Sequence, residues 1–233
     1  MSWYLGFDCA TKTFAFSLSY IDTALFNVDV ACEIATLVKM QDKVLPEHYS
    51  LVTNKALQYI EKIRNYIIIE DGETVDLVPD KKDIGNEITT IERVKALTKY
   101  VKTRIPTREN MVVIIENQMG EKANLISAAL ISLYADYEII MVSPVLKNSL
   151  CFSNESRYSN FSSKYSTSYL ANKAHAVALF KDIKKIFVCK IKDDKSHVAD
   201  SFLQVYAYLL KLKGATLRVV PLKTPQQKLM NIV

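Results

Sequence analysis

The feature that most limits the fold of this chain is an uninterrupted apolar segment, Met111 to Ile115, which reads Met-Val-Val-Ile-Ile. A strand with one face in water alternates apolar and polar residues, whereas a strand covered on both faces is apolar throughout. The segment therefore predicts a buried strand of a parallel pair, in a sheet with helices packed on both faces. Glu116 follows directly, so a carboxylate stands at the end of this strand.

The segments around that strand predict a mixed sheet. Alternation and β-branched residues predict three early strands, at Trp3–Asp8, Thr13–Tyr20 and Val28–Val38, and their close spacing favours an antiparallel meander. Another strand is predicted at Glu138–Val142. The predicted fold is thus α/β, with a mixed five-stranded sheet and helices on both faces. Helices are predicted at Pro46–Ile69, Asn86–Arg104, Lys122–Ala135, Tyr169–Phe180 and Asp194–Leu212, with a further short strand at Ile186–Cys189.

The length of 233 residues suits a single domain, 1–233, that contains one insertion. The insertion is predicted at about residues 41–85. Within it, Glu70–Gly85 is polar and contains a glycine, a proline and an Asp-Lys-Lys-Asp run, which is typical of a loop.

Composition excludes several classes of protein. The five glycines are too few for the Gly-rich phosphate loops of P-loop or Rossmann proteins. No run of about 18 apolar residues is present, so no membrane-spanning segment is predicted, and the N-terminus does not have the pattern of a signal peptide. The four cysteines lie far apart without a CxxC pair, which favours a reducing, cytoplasmic location and small buried thiols rather than a zinc site.

The net charge of +5 is modest, but its distribution is uneven. Basic residues outnumber acidic ones between Lys147 and Lys195, whereas Glu70–Glu92 leans acidic. Such a basic stretch is either a solvated surface or a surface that binds phosphate groups.

Carboxylates follow the predicted core elements at three points. Asp8 ends the first strand, Glu116 ends the buried strand, and Asp200 lies near the start of the last helix beside an apolar stripe. If the two strands are neighbours and the helix crosses the sheet, the three acids meet at one place. His197 precedes Asp200 by three residues, so both project from one face of the helix. Each residue alone also fits a loop, a cap or a solvated surface; the combination favours a site.

Clustered carboxylates repel one another unless a cation neutralises them. Oxygen-rich sites suit Mg²⁺ or Mn²⁺. Two such ions about 4 Å apart activate a water molecule and stabilise the leaving oxygen of a phosphodiester. The acids therefore predict metal-dependent hydrolysis of a phosphodiester bond.

Four short motifs that contain these residues resemble the RuvC-type Holliday junction resolvases, and within them the poxvirus-type and mitochondrial branch. The motifs cover most of the chain in order, apart from roughly residues 41–85 and the C-terminal tail. They are Gly6-Phe7-Asp8, Ile114-Ile115-Glu116-Asn117-Gln118, Val142-Ser143-Pro144 and His197-Val198-Ala199-Asp200-Ser201.

The resemblance implies a ribonuclease-H-like fold, a homodimer, and paired Mg²⁺-dependent nicks in four-way DNA junctions, for recombination or for resolving viral genomes. It implies that Asp8, Glu116 and Asp200 are catalytic metal ligands. The family usually has another acid three residues before the last Asp, where this chain has His197. That histidine is predicted to ligate a metal or to act as a base, since its unperturbed pKa lies near neutrality. The departure leaves open whether Asp193 or Asp194 takes part.

Several polar residues near these motifs are predicted to contact DNA. A helix N-terminus favours phosphate, and lysines commonly bind the backbone. Surface lysines without a function fit the sequence about as well. The predicted nucleic-acid contacts are Gln118, Lys122, Asn124, Lys147, Lys164 and Lys173.

Three alternatives stay open at this point. An actin-like or sugar-kinase-like ATPase shares the Gly-x-Asp first strand but needs further Gly-rich loops. A non-catalytic DNA-binding relative could keep the fold, since fold does not fix function. A related nuclease that cuts flaps, forks or RNA would have the same acids.

Overall fold

The structure is a computed structural model that describes residues 2–9, 13–26, 30, 58–77, 89–117, 120–150, 164–192 and 195–212. Within these residues, no helix is both long and apolar enough to cross a membrane.

Six described strands form one mixed sheet in the order β5-β4-β1-β2-β3-β6. The first three strands pair antiparallel, whereas β4 pairs parallel to β1, β5 parallel to β4, and β6 parallel to β3. The buried strand predicted from its apolar run is β4, and it lies inside the sheet between β1 and β5. The strands are β1 (Ser2–Asp8), β2 (Thr13–Ile21), β3 (Ile67–Asp76), β4 (Met111–Glu116), β5 (Glu138–Val142) and β6 (Val188–Cys189).

Helices form two separate cores with this sheet. One core contains Leu97 and Val101 of α1 with Ile126 and Leu130 of α2. The other core contains residues of α3 and α4, among them Phe180 and Phe202. The described helices are α1 (Thr90–Arg104), α2 (Glu121–Leu133), the 3₁₀ helix η1 (Leu146–Leu150), α3 (Ser168–Ile186) and α4 (Ser196–Leu212), and residues 58–63 are also helical.

The predicted fold class is confirmed: the described residues form a mixed α/β fold whose sheet is covered by helices. The described sheet has six strands rather than five, because the short strand near residue 188 joins its edge. The third strand predicted at Val28–Val38 lies outside the described residues, apart from Val30. The antiparallel meander itself is present, with β3 as its third strand.

The prediction for the segment that becomes β3 was wrong. A helix was predicted up to Ile69 and a loop from Glu70, but Ile67–Asp76 is a strand paired to β2 over its full length. Its acidic residues made the segment look like a solvated loop in the sequence. In the structure these acids make ion pairs at the surface of the sheet. Asp71 pairs with Arg104 at 2.7 Å, and Glu70 pairs with Lys190 at 2.8 Å. Residues 67–76 are thus part of the sheet, and the rest of the insertion predicted at 41–85 stays a prediction.

Helix α4 lies unusually close to β1 because residue 6 is a glycine. A Cβ atom at Gly6 would stand 2.3 Å from the carbonyl oxygen of Ser201 and 2.7 Å from a methyl carbon of Val205. Real Cβ atoms do not approach a backbone oxygen that closely. The absence of a side chain at position 6 therefore lets the first turns of α4 rest on the strand that ends in Asp8.

We expect Gly6→Ala to destabilise the protein, because α4 has to move away from β1 to make room for the methyl group. Overpacking of a tight core typically costs about 1–3 kcal/mol. Thermal unfolding of the two proteins side by side measures the change. An unchanged melting temperature would contradict the close approach of α4.

Candidate active site

Three carboxylates meet at one end of the sheet, each brought there by a different element. Asp8 ends β1 and Glu116 ends β4, and the register pairs Phe7 with Ile115 one residue earlier. Asp200 comes from the first turns of α4, which cross the sheet at that end. All three are almost fully buried, at 3–4% exposure. The sequence prediction that these acids come together is therefore matched by their positions in the structure.

Lys147 lies inside this cluster rather than on the surface. Its ammonium nitrogen is 3.4 Å from Oε2 of Glu116 and 3.2 Å from Oδ2 of Asp200, and the side chain is only 15% exposed. Helix η1 presents it, directly after the Ser143-Pro144 turn that follows β5. Lys147 was predicted as a surface contact for DNA, so its pairing with two of the three acids was missed. The sequence around Lys147 does not indicate that its side chain turns toward the carboxylates.

His197 contacts the third carboxylate. Its Nδ1 is 2.7 Å from Oδ2 of Asp8, and its Nε2 is 3.1 Å from the hydroxyl of Thr13. With the proton on Nδ1, the ring donates to the carboxylate and accepts from the threonine hydroxyl. Both ring nitrogens thus have protein partners, and the imidazole holds Asp8 in one orientation.

Gln204 is a further member of the site that the sequence analysis did not identify. It lies one turn after Asp200 on α4, is fully buried, and donates from Nε2 to Oε2 of Glu116. Its own Oε1 has no hydrogen-bond partner among the described residues. An amide with a buried, unpaired oxygen costs free energy, which its bond to an ionised carboxylate offsets. Gln204 could have been predicted as a site residue from its spacing of four residues from Asp200, because this spacing puts both side chains on the same helix face.

The electrostatics of the site are dominated by burial. Burial raises the pKa of Glu116, Lys147 opposes this, and the Asp8 and Asp200 carboxylates add to the rise. Burial likewise raises the pKa of Asp200, against the attraction of Lys147 and with the repulsion of Asp8. For Lys147 burial favours the neutral amine, but the Asp200 and Glu116 carboxylates outweigh it and raise the pKa of the ammonium. The site thus holds its acids close together at an electrostatic cost.

Cys9, directly after Asp8, is a buried thiol. Burial raises its pKa well above the ordinary value, and the charge of Asp8 adds to this effect. It therefore stays protonated and packs as a small apolar residue, as predicted for the cysteines.

An open pocket of about 180 Å³ leads to Glu116 and Asp200. One wall is the first turn and a half of α3, where the ammonium of Lys173 lies 5.3 Å from the ring centre of Tyr169. Tyr169 is 63% exposed. The pocket is lined by Glu116, Pro144, Lys147, Tyr169, Asn172, Lys173 and Asp200.

The other residues predicted to contact DNA lie at varied positions. Asn124 and Lys164 are exposed, on α2 and just before α3 respectively. Lys122 lies in the first turn of α2, but its side chain is outside the described part of the structure, as are Gln118, Asp193 and Asp194.

The donor types at this site fit Mg²⁺ or Mn²⁺, since Asp8, Glu116 and Asp200 offer only carboxylate oxygens. Among the described residues, however, no group of three or more His, Cys, Asp or Glu side chains stands in an arrangement that could hold a metal ion. The reason is visible in the contacts: Asp8 is turned to His197, and Glu116 and Asp200 are turned to Lys147. The residues fit a divalent ion by chemistry, and one oxygen of each carboxylate is in contact with a protein cation or donor in this arrangement.

No protein-family model and no curated protein matches this chain. Among solved structures, it is similar to the fowlpox virus resolvase in complex with Holliday junction DNA, at 14% identity over 90% of this chain and 98% of that one, with a TM-score of 0.48. It is similar to Thermus thermophilus RuvC in complex with a Holliday junction substrate, at 10% identity over 91% and 97%, with a TM-score of 0.46. It is also similar to the yeast mitochondrial Holliday junction resolvase Ydc2, at 14% identity over 91% and 84%, with a TM-score of 0.43. At such identities the activity of this chain has to be inferred from its own site.

We expect Asp200→Asn to raise the stability of the metal-free protein at neutral pH, by about 0.5–2 kcal/mol. The ionised carboxylate is disfavoured in the folded state because burial and Asp8 raise its pKa. The gain should be complete above that raised pKa and shrink as the pH falls, disappearing near pH 4, where the unfolded carboxyl group is protonated as well. Thermal unfolding in chelator across this pH range measures it.

Asp182→Asn is the matched control. Asp182 is equally buried, at 4%, but it pairs with Lys185 away from the site. It should bring no gain in stability, and an equal gain from both substitutions would mean that the site has no special electrostatic cost.

Proposed function

We propose that this protein is a metal-dependent endonuclease that hydrolyses phosphodiester bonds in branched DNA, with the four-way junction as its substrate. The observation that supports this best is the meeting of Asp8, Glu116 and Asp200 at the end of two parallel strands. Buried carboxylates that repel one another are unfavourable for folding alone. The position of Glu116 and Asp200 on the wall of an open pocket therefore favours a catalytic role.

Asp8, Glu116 and Asp200 would hold one or two Mg²⁺ or Mn²⁺ ions. Bound there, the ions would lower the pKa of a water molecule and neutralise the charge that develops on the phosphate. The chain's own part is positioning. Gln204 fixes the carboxylate of Glu116, and His197 fixes that of Asp8. Since both nitrogens of His197 have protein partners, we assign it to orienting Asp8 rather than to binding the metal directly.

The pocket beside the carboxylates suits one phosphodiester of a DNA strand. Lys147 and Lys173 lie on its walls and would attract the phosphate, and the exposed ring of Tyr169 offers a flat apolar surface to a sugar or base. Helix α3 adds positive charge further along the same element. Its four lysines are Lys173, Lys181, Lys184 and Lys185, against the single acid Asp182. Lys164, Lys122, Asn124 and Gln118 stay predicted DNA contacts.

The choice of a four-way junction rests on the sequence motifs, which resemble those of junction resolvases. A junction has two equivalent strands to cut, so a two-fold dimer would present one site to each. We propose a homodimer formed through α2. Beyond the first turn, where the side chains of Glu121 and Lys122 lie outside the described part of the structure, the exposed residues of this helix are uncharged. They are Leu125, Ala128, Ile131 and Ser132, with Leu125 48% and Ile131 40% exposed. An apolar helix face of this kind is typical of an interface.

Two other functions stay open beside this proposal. A nuclease of the same chemistry that prefers flaps, forks or RNA would have the same carboxylates. A non-catalytic DNA-binding protein of this fold would not need them. The proposed place of action is the cytoplasm, including a viral replication compartment there.

We expect the purified protein to cut a labelled four-way junction with paired symmetric nicks in Mg²⁺, and to leave a linear duplex of matched sequence intact. Chelator should abolish cutting. Asp8→Asn should slow it by on the order of 100-fold or more, because changes that only touch a metal ligand indirectly already cost about 10–100-fold. Single-turnover cleavage assays measure the rates.

Asp182→Asn, a buried carboxylate outside the site, should cut at the wild-type rate. If flaps or linear duplex were cut as fast as the junction, the proposed junction specificity would be wrong, but the proposed nuclease chemistry would stand. Junction binding without cutting in any divalent metal would favour the non-catalytic alternative.

We expect the protein to be a dimer in solution and Leu125→Glu with Ile131→Glu to make it monomeric, because two charges cannot be buried in an apolar interface without partners. Sedimentation velocity measures the mass. Ile91→Glu is the control, since Ile91 is also exposed, at 67%, but lies on α1. A monomeric wild type, or dissociation by the control as well, would contradict the proposed interface.

A further inference from the structure

Lys147 occupies the place in this site where a cation is needed. Its Nζ reaches one oxygen of Glu116 and one of Asp200 at 3.4 and 3.2 Å. The charge of Asp8 also stabilises the ammonium. A lysine with 15% exposure loses most of its hydration, and the contacts with these carboxylates are what repay that loss.

A divalent ion bound by Glu116 and Asp200 would have to share these two carboxylates with the Lys147 ammonium. Two carboxylates and one ammonium have a net charge of −1, which is too little to bind a divalent ion strongly. A divalent ion bound to the carboxylates would also lie within a few ångströms of the ammonium. Like charges at such distances repel strongly in a partly dry site. Binding of a metal by Glu116 and Asp200 therefore requires the ammonium to leave its present position.

The pocket gives the ammonium somewhere to go. Lys147 lines it together with Tyr169, Asn172 and Lys173, so a change of its side-chain rotamer would carry Nζ from the carboxylates toward the open space. That space is the one proposed above for the phosphate group of the substrate.

We propose that Lys147 is a resident counter-ion of the metal-free site: it holds Glu116 and Asp200 together until a divalent ion displaces it, and it thereby sets the metal affinity of the protein. This inference rests on the proposed metal-dependent function. It makes Lys147 a competitor of the metal as well as a neighbour of the substrate, and it accounts for the absence of a preformed metal site among the described residues.

The test uses Mn²⁺ alone, without DNA, on the wild type and on Lys147→Met. In chelator, Lys147→Met should unfold at a lower temperature than the wild type, because two buried carboxylates lose their counter-ion. Its affinity for Mn²⁺, measured by titration calorimetry, should be tighter by on the order of tenfold. Charges within about 4–6 Å change the proton affinity of a carboxylate by about 10- to 1000-fold, so tenfold is the low end for a divalent ion.

Lys173→Met is the matched control. Lys173 also lines the pocket and attracts Asp200, but its ammonium lies over Tyr169 instead of between the acids. It should change the Mn²⁺ affinity much less than Lys147→Met does. An unchanged or weaker Mn²⁺ affinity of Lys147→Met would overturn the inference, as would an equal gain in both variants.

A second measurement on the wild type keeps the test valid if Lys147→Met does not fold. Acetylation of lysine amines, followed by mass spectrometry, should modify Lys147 several-fold faster in Mn²⁺ than in chelator, since the ammonium leaves its carboxylates. Lys185, which pairs with Asp182 outside the site, should show no such difference. Equal labelling of Lys147 in both conditions would overturn the inference.

The two proposals fail in different ways. If the wild type binds Mn²⁺ and Asp200→Asn does not, the metal site stands, and the behaviour of Lys147→Met decides on the counter-ion alone. If neither the wild type nor Lys147→Met binds Mn²⁺, the metal-dependent function and the counter-ion both fall.

Discussion

The arrangement of the candidate site depends on electrostatic repulsion between three buried carboxylates. They lie close together, and the positive charge near them is too small to neutralise them. Burial and mutual repulsion raise the pKa of Glu116 and of Asp200, and Lys147 offsets this only in part. The amide of Gln204 contacts Glu116, and the imidazole of His197 contacts Asp8. These two contacts stabilise buried carboxylates that would be unfavourable without them.

The backbone that holds this arrangement is determined by simple packing rules. Parallel pairing of β1 and β4 brings two strand ends side by side, so the last residue of each, Asp8 and Glu116, faces the same edge. The lack of a side chain at Gly6 lets α4 rest against β1, which carries Asp200 to that edge. Two local features, a strand register and one glycine, thus place three residues that are far apart in the sequence.

The sequence alone predicted the α/β class and which acids come together, because both follow from strong patterns. An apolar run that stops at an acid identified β4 and Glu116, and an acid inside an apolar stripe identified Asp200. The strand β3 was not predicted, because its ion-paired acids resemble a solvated loop. The inward turn of Lys147 and the contact of Gln204 were not predicted either, since the direction of a single side chain depends on the finished tertiary structure. His197 was identified as a site residue, but its two contacts, to Asp8 and Thr13, were visible only in the structure.

Helix α4 differs from an ordinary surface helix because it is buried on all sides, and this limits which substitutions it can tolerate. All residues from Val198 to Ala207 are buried, whereas α1 buries only Leu97 and Val101. A survey of tolerated substitutions should therefore show the usual helical period of about 3.6 residues along α1. Along α4 it should show no period, because nearly every position is constrained. Because almost every residue of the helix that supplies Asp200 is buried, substitutions should be tolerated better in the more exposed pocket wall beside it, at positions such as Tyr169.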